Sequence, residues 1–271
     1  MPFKGISQIH NLRIYGVNDG LPGNQVYTMI QDKTGMIWIA GEAGICRFDG
    51  RTFYRPPANY LLNDEECLYL FCDSQGRIWL SGLKEHLLLI PDPDQWTDDK
   101  FSVKKVLPLI NFFSGVLETK TGEILVSSDK YIWKINKKLT IDTLRNNLDL
   151  KSFFVRMFLF HSQSGEILAL NINNQLLGVE NNNVILIDTL NIISYPPLLP
   201  EIPNRHALFF LGKGGIYKLE NRKPEKIIPD EYLPACEKIT TFYQDKNNRT
   251  WVLSEKGEIW ITENLGKGKP V

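Results

Sequence analysis

At 271 residues, with 43% hydrophobic and 11% aromatic side chains, the chain can bury a sizeable core, and all-β chains of this length commonly form one domain. Lys+Arg 31 against Asp+Glu 31 leaves no net charge, and no basic run marks a nucleic-acid footprint. No apolar run reaches membrane-spanning length, and Met1-Pro2-Phe3-Lys4-Gly5 lacks the apolar core of a signal peptide; that fits a cytoplasmic protein, or an exported one whose leader has been replaced by an initiator Met.

Asn11 to Val17 (NLRIYGV) reads as a strand standing apart, followed by the turn-rich Asp19-Gly20-Leu21-Pro22-Gly23-Asn24. From Val26 to Phe53 the pattern becomes regular. Tyr27, Met29 and Gln31 alternate with Val26, Thr28 and Ile30, the period of an extended segment. Asp32-Lys33-Thr34-Gly35 supplies a turn, because Asp bonds the backbone ahead of it and Gly accepts a positive φ. Met36 to Ala40 is apolar, as in a strand buried on both faces. Gly41-Glu42-Ala43-Gly44, a strand Ile45 to Phe48, Asp49-Gly50 and a strand Arg51 to Tyr54 complete a four-stranded antiparallel meander.

The unit recurs. In Cys67 to Leu83, Asp73, Gly76, Trp79 and Gly82 stand 41 positions after Asp32, Gly35, Trp38 and Gly41, and Asp245 and Trp251 mark a last clear copy. Worn copies keep Gly122 with Leu125, Gly165 with Leu168, and Phe209 with Gly212 to Ile216. The markers fall at 38, 79, 125, 168, 209 and 251, a spacing of 41 to 46 residues. Four strands every 40–45 residues, roughly, is the mark of a β-propeller. The expected fold is therefore all-β: a six-bladed β-propeller of four-stranded antiparallel blades, one domain over residues 1–271. Strand 11–17 is expected to pair with the last blade, residues 238–263, closing the ring and hiding its edges.

Cys46, Cys67, Cys72 and Cys236 read as buried thiols rather than a framework, with a Cys46–Cys67 bridge as the oxidising-compartment alternative; no C-x-x-C points to zinc. Trp38, Trp79 and Trp251 recur at one position of apolar strands and read as core, whereas Trp96, in the acidic loop Pro91 to Asp99, reads as exposed. That loop lacks the Gly and distal Glu of an EF-hand. Around His10, His86, His161 and His206 there is no H-E-x-x-H, G-x-S-x-G or other nucleophile motif. No cofactor is expected.

The run Asp19 to Gly50, DGLPGNQVYTMIQDKTGMIWIAGEAGICRFDG, resembles the two-component regulator propeller repeat, in which D-G-L-P-x-N precedes a strand, D-x-x-G, I-W, a Gly turn and R-F-D-G. The resemblance implies the extracytoplasmic sensor region of a bacterial hybrid two-component receptor kinase, hence a periplasmic location, a part in signal transduction and a receptor dimer. The chain departs from it in having six repeats, in Ala40-Gly41-Glu42 at the second turn, and in containing no β-sandwich, span or kinase. The D-x-x-G-x-I-W signature is also similar to that of streptogramin lyases, seven-bladed enzymes with a His base beside Mg²⁺ and Glu. His161 and His206 are the bases that reading would use.

Loops sort by face. The D-x-x-G turns are short. The opposite face carries longer, more polar loops (59–66, 108–111, 149–152, 194–205 and 233–238) together with the Gly41–Gly44 turn and its counterparts, and binding residues concentrate on such loops. The candidate ligand-binding residues are Asn24, Glu42, Glu66, Lys84, Asn111, Lys130, Lys213 and Lys238. Gathered by ring closure, they suit a polar ligand such as an oligosaccharide or a peptide. The expectation is a non-catalytic sensor, with a protein-interaction scaffold or a lyase-like enzyme as the alternatives.

Overall fold

The turns predicted from Asp and Gly form as expected, and they set the strand lengths. Asp32 Oδ1 accepts from the N–H groups of Thr34 and Met36 at 2.9 and 3.0 Å, and Gly35 adopts φ 89°. Asp73 and Gly76 repeat the arrangement at the next turn. In the worn copies a hydroxyl serves instead: Thr119 Oγ1 accepts from the Glu123 N–H and Ser162 Oγ from the Glu166 N–H, each at 3.0 Å.

The computed structural model describes residues 13–57, 62, 65–82, 86–96, 100–108, 115–128, 131–146, 157–162, 164–171, 173–190, 208–212, 215–220, 222–229, 239–244, 249–254 and 259–262. The chain divides into two compact units, residues 1–105 and 106–271. The first sheet comprises β1 (Val26–Gln31), β2 (Ile37–Gly41), β3 (Gly44–Phe48) and β4 (Phe53–Tyr54), paired in that order. The second comprises β5 (Cys67–Cys72), β6 (Ile78–Gly82), β7 (His86–Ile90) and β8 (Lys104–Pro108), again in order.

The third sheet holds β9 (Gly115–Glu118), β10 (Ile124–Ser127), β11 (Ile132–Ile135) and β12 (Ile141–Thr143). The fourth adds to β14 (Met157–His161), β15 (Ile167–Asn171), β16 (Gln175–Glu180) and β17 (Asn183–Thr189) a short edge strand, β13 (Arg145–Asn146). It lies parallel to β17, with Arg145 opposite Asn183, a fifth strand the repeat did not foretell. The fifth sheet has β18 (Leu208–Gly212), β19 (Gly215–Glu220) and β20 (Lys223–Pro229), the sixth β21 (Ile239–Gln244), β22 (Thr250–Ser254) and β23 (Ile259–Thr262). All other neighbouring strands with a determined register pair antiparallel.

Two expectations change, and the alternative of a cysteine bridge falls away. Residues 13–16 belong to no strand and Val17–Asp19 form a 3-10 turn, because the Gly16 N–H is tied to the Asp19 carboxylate at 2.9 Å. Tyr15 instead packs edge-on against Phe48 and Phe53 of the first sheet. Residues 11–12 lie outside the described residues. Trp96 is buried, not exposed, at 1%. Pro93 opens a 3-10 turn whose N-cap, Asp92, accepts from the Asp94 N–H, and the turn drives the indole edge-on against Trp38 and Phe101, with centroids 4.8 and 5.0 Å away. Cys46, Cys67 and Cys72 are free thiols, so no Cys46–Cys67 bridge forms. Burial pushes the Cys46 and Cys67 thiols up to about 12. Cys236 lies outside the described residues.

Trp38 and Trp79 are fully buried as core, and Trp251 is half-buried. The core of the first unit joins Trp38, Leu70, Ile78, Trp96 and Phe101 between its two sheets.

Candidate functional site

Each of the first two repeats brings the residue before its first strand against the glycine that ends its second. The Cβ of an alanine at position 41 would lie 2.1 Å from the Gln25 carbonyl oxygen, and one at 82 would lie 2.2 Å from that of Glu66. Only glycine admits this approach. It fixes Gln25 and Glu66 at equivalent places, at the end of the sheets bearing the Gly41–Gly44 turn. A register shift follows in both strands, between Val26 and Thr28 and between Cys67 and Tyr69; such irregularities re-aim side chains.

Three of the candidate residues meet here. The Glu42 N–H donates to the Gln25 carbonyl at 3.1 Å, while Glu42 Oε1 accepts from the N–H groups of Asn24 and Gln25 at 3.0 and 3.1 Å. One carboxylate oxygen thus holds the entry to β1. The Tyr27 hydroxyl, at the re-aimed position, donates to Glu66 Oε1 at 2.6 Å and lies 3.4 Å from Gln25 Oε1. That hydrogen bond to Glu66 holds the Tyr27 phenol above its ordinary ionisation range, with local desolvation and the charges of Glu66 and Glu42 acting the same way.

Asn24, Gln25, Tyr27 and Glu42 are exposed and Glu66 is half-buried. Beside them the first unit presents Val26, Met29 and Leu68 to solvent. The surface is a polar row with two carboxylates, and the same strands β1 and β5 expose apolar side chains, so it can hydrogen-bond a polar ligand and offer it apolar contact.

Sequence reasoning missed Gln25 and Tyr27. The signal for Gln25 was its place, 41 positions before Glu66. Tyr27 gave none, because alternation reads it as one more outward residue of a strand. Lys84, Asn111, Lys130, Lys213 and Lys238 lie outside the described residues, as do most of the long loops. Of the bases considered for a lyase, His206 also lies outside them. His161 is half-buried, with Nε2 2.8 Å from the Glu118 carbonyl; as that nitrogen must donate to a carbonyl, the proton of the neutral ring sits there. Among the described residues no three His, Cys, Asp or Glu side chains are placed to hold a metal ion.

Residues 20–43 match the family model described as two component regulator propeller. The chain carries a two-component regulator propeller repeat. No curated protein matches it. Among solved structures it is similar to the extracellular domain of a putative hybrid two-component system from B. thetaiotaomicron, with 16% identity and a TM-score of 0.62 over 93% of this chain and 35% of that one. The chain therefore spans about a third of that domain. Virginiamycin B lyase from Staphylococcus aureus is similar at 16% identity and TM-score 0.61, over 90% of this chain and 85% of that one. The WD40 β-propeller domain of Doa1 follows at 13% identity and TM-score 0.58, over 86% and 76%. At such identities the likeness shows the propeller-like, all-β fold.

Proposed function

We propose that this chain is a non-catalytic ligand-binding propeller, the extracytoplasmic sensing part of a two-component receptor. The observation that carries the reading is the continuous hydrogen-bonded row from Asn24 through Glu42 and Gln25 to Tyr27 and Glu66, built on the repeat that matches the regulator family. Two carboxylates and two amides at one end of adjacent sheets suit a ligand rich in donors, such as an oligosaccharide or a peptide. In this reading the repeats are the blades of one ring, and Lys84, Asn111, Lys130, Lys213 and Lys238 are further candidates at its mouth, with Lys213 and Glu66 contributing as hydrogen-bonding and ion-pairing groups. Ligand binding would act by differential affinity for two arrangements of the receptor dimer.

A thermal-shift screen of oligosaccharides and short peptides, followed by calorimetry on the hits, tests this. Tyr27→Phe and Glu66→Gln, both folded, are each expected to weaken the hit by about tenfold. Affinities equal to wild type would remove the site from this row. Failure of every small ligand, with a protein captured at Val26, Met29 and Leu68 instead, would favour the scaffold reading.

A further inference from the structure

Within the second unit, between the third and fourth sheets, an open cleft of about 300 Å³ is lined by residues of both. Its position follows from what the third repeat has lost. Leu125 stands where the first two repeats carry Trp38 and Trp79, and Thr119 where they carry Asp32 and Asp73; both line the cleft. In the first repeat Arg47, opposite Trp38 across β2 and β3, lies 4.9 Å over the indole and reaches Asp32 at 3.3 Å. In the third, Lys134 is opposite Leu125. With no ring to cover, its Nζ turns to Asn182 Oδ1 at 2.8 Å and lies 3.8 Å from Glu123. A large-to-small change that neighbours do not refill leaves room.

The floor of that room is apolar: Leu125 and Leu144, buried, with Ile167 and Val179 on the facing sheet. Its rim is polar and largely committed. Thr121 donates to Glu123 Oε2 at 3.0 Å, and Lys134 neutralises the other oxygen. Lys120, by contrast, is exposed at the rim and makes no hydrogen bond or ion pair with any of the described residues. The balance of the cleft is thus an apolar slot with one uncommitted cation, the pattern of a site with a few placed polar groups on an apolar wall.

We propose that this cleft binds a small planar aromatic carboxylate, its ring against the half-buried Ile167 and Val179 over Leu125 and Leu144, and its carboxylate on Lys120. The site is separate from the Glu42–Glu66 row and does not depend on it.

Indole-3-carboxylate is the probe, titrated into the full chain with methyl resonances of Leu125, Leu144, Ile167 and Val179 observed by NMR. The expected result is saturable shifts at these methyls, with cyclohexanecarboxylate binding more weakly. Thr119→Asp with Leu125→Trp rebuilds the indole in the slot and is expected to abolish binding. Lys120→Glu, an exposed change that leaves the core intact, is expected to weaken it about tenfold. No saturable shift at these methyls overturns the proposal, as does a folded double variant that binds like wild type. Should the double variant not fold, unchanged affinity in Lys120→Glu overturns it alone.

Discussion

The indole N–H of Trp38 donates to Asp32 Oδ2 at 2.8 Å, six residues back across the turn. Trp79 and Asp73 form the same bond at the same distance. In each case one carboxylate oxygen holds the turn's backbone and the other takes the indole, together with an arginine: Arg47 on Asp32 and Arg77 on Asp73. Where the third and fourth repeats replace Trp with Leu125 and Leu168, the acid becomes Thr119 and Ser162, whose hydroxyls still hold the turn. A single oxygen suffices once no indole donor has to be met. Acid and indole change together because an indole N–H buried without an acceptor costs about 1–3 kcal/mol.

This coupling is measurable. Trp79→Leu is expected to destabilise the chain by about 3 kcal/mol, near the usual range for a buried large aromatic. Asp73→Thr alone leaves Trp79 and Arg77 without their acceptor and costs about 3–5 kcal/mol. In the Trp79→Leu background the same change is expected to cost about 1–3 kcal/mol less. Urea unfolding of the four proteins closes the cycle, and additive effects would show that the pair is not a unit.

Acid should unpick the first repeat before general denaturation. Burial works to raise the Asp32 carboxyl, yet hydrogen bonds from Thr34 and Trp38 and the charge of Arg47 outweigh it and hold the group below its ordinary value. A carboxylate depressed in the folded state contributes stability that is present above its unfolded pKa and is lost as pH falls through the folded one. Melting temperature is therefore expected to fall as pH drops below about 4. Asp32→Asn should be less stable at neutral pH and lose less on acidification; an acid slope equal to wild type would contradict this.

Trp96 offers a third test, on a residue whose loop is acidic and yet folds inward. Trp96→Ala is expected to cost about 3–5 kcal/mol, since the indole packs on both Trp38 and Phe101 and its N–H donates to the Tyr54 carbonyl at 3.3 Å. Thermal unfolding by circular dichroism reads it. A loss under about 0.5 kcal/mol, as for an exposed side chain, would place Trp96 in solvent after all.

Much of this fold was legible because its signals are periodic. D-x-x-G, the Trp position and the paired glycines each recur, and every turn and second strand they mark within the described residues is present. What escaped is what does not repeat. Trp96 sits in a loop whose composition reads as solvated, and only the cap of Asp92 on a Pro93 turn sends it inward. Val17–Asp19 form a turn because Asp19 reaches back to Gly16, a contact that the apolar alternation of NLRIYGV does not encode. Of the candidate site, Glu42 and Glu66 were visible by place, while Tyr27 was hidden by strand alternation. The cleft at Leu125 opens beside the short turns, an end of the sheets that loop length alone gave no reason to consider.

The glycine at position 41 joins stability to binding. Its φ is ordinary, so the constraint is steric: an added Cβ would lie 2.1 Å from the Gln25 carbonyl, and that carbonyl also receives the Glu42 N–H. Gly41→Ala must push the entry of β1 outward, which costs about 1–3 kcal/mol as overpacking does. It also moves Gln25 and Asn24 away from Glu42 Oε1, so any ligand held by the Asn24–Glu66 row is expected to bind more weakly in the folded fraction. Gly16→Ala provides the contrast, since its Cβ would meet nothing closer than 3.8 Å, and is expected to leave both stability and binding unchanged. Thermal melts and calorimetry on the two variants decide the matter: a Gly41→Ala protein as stable as Gly16→Ala would mean that β1 does not enter its sheet against that glycine.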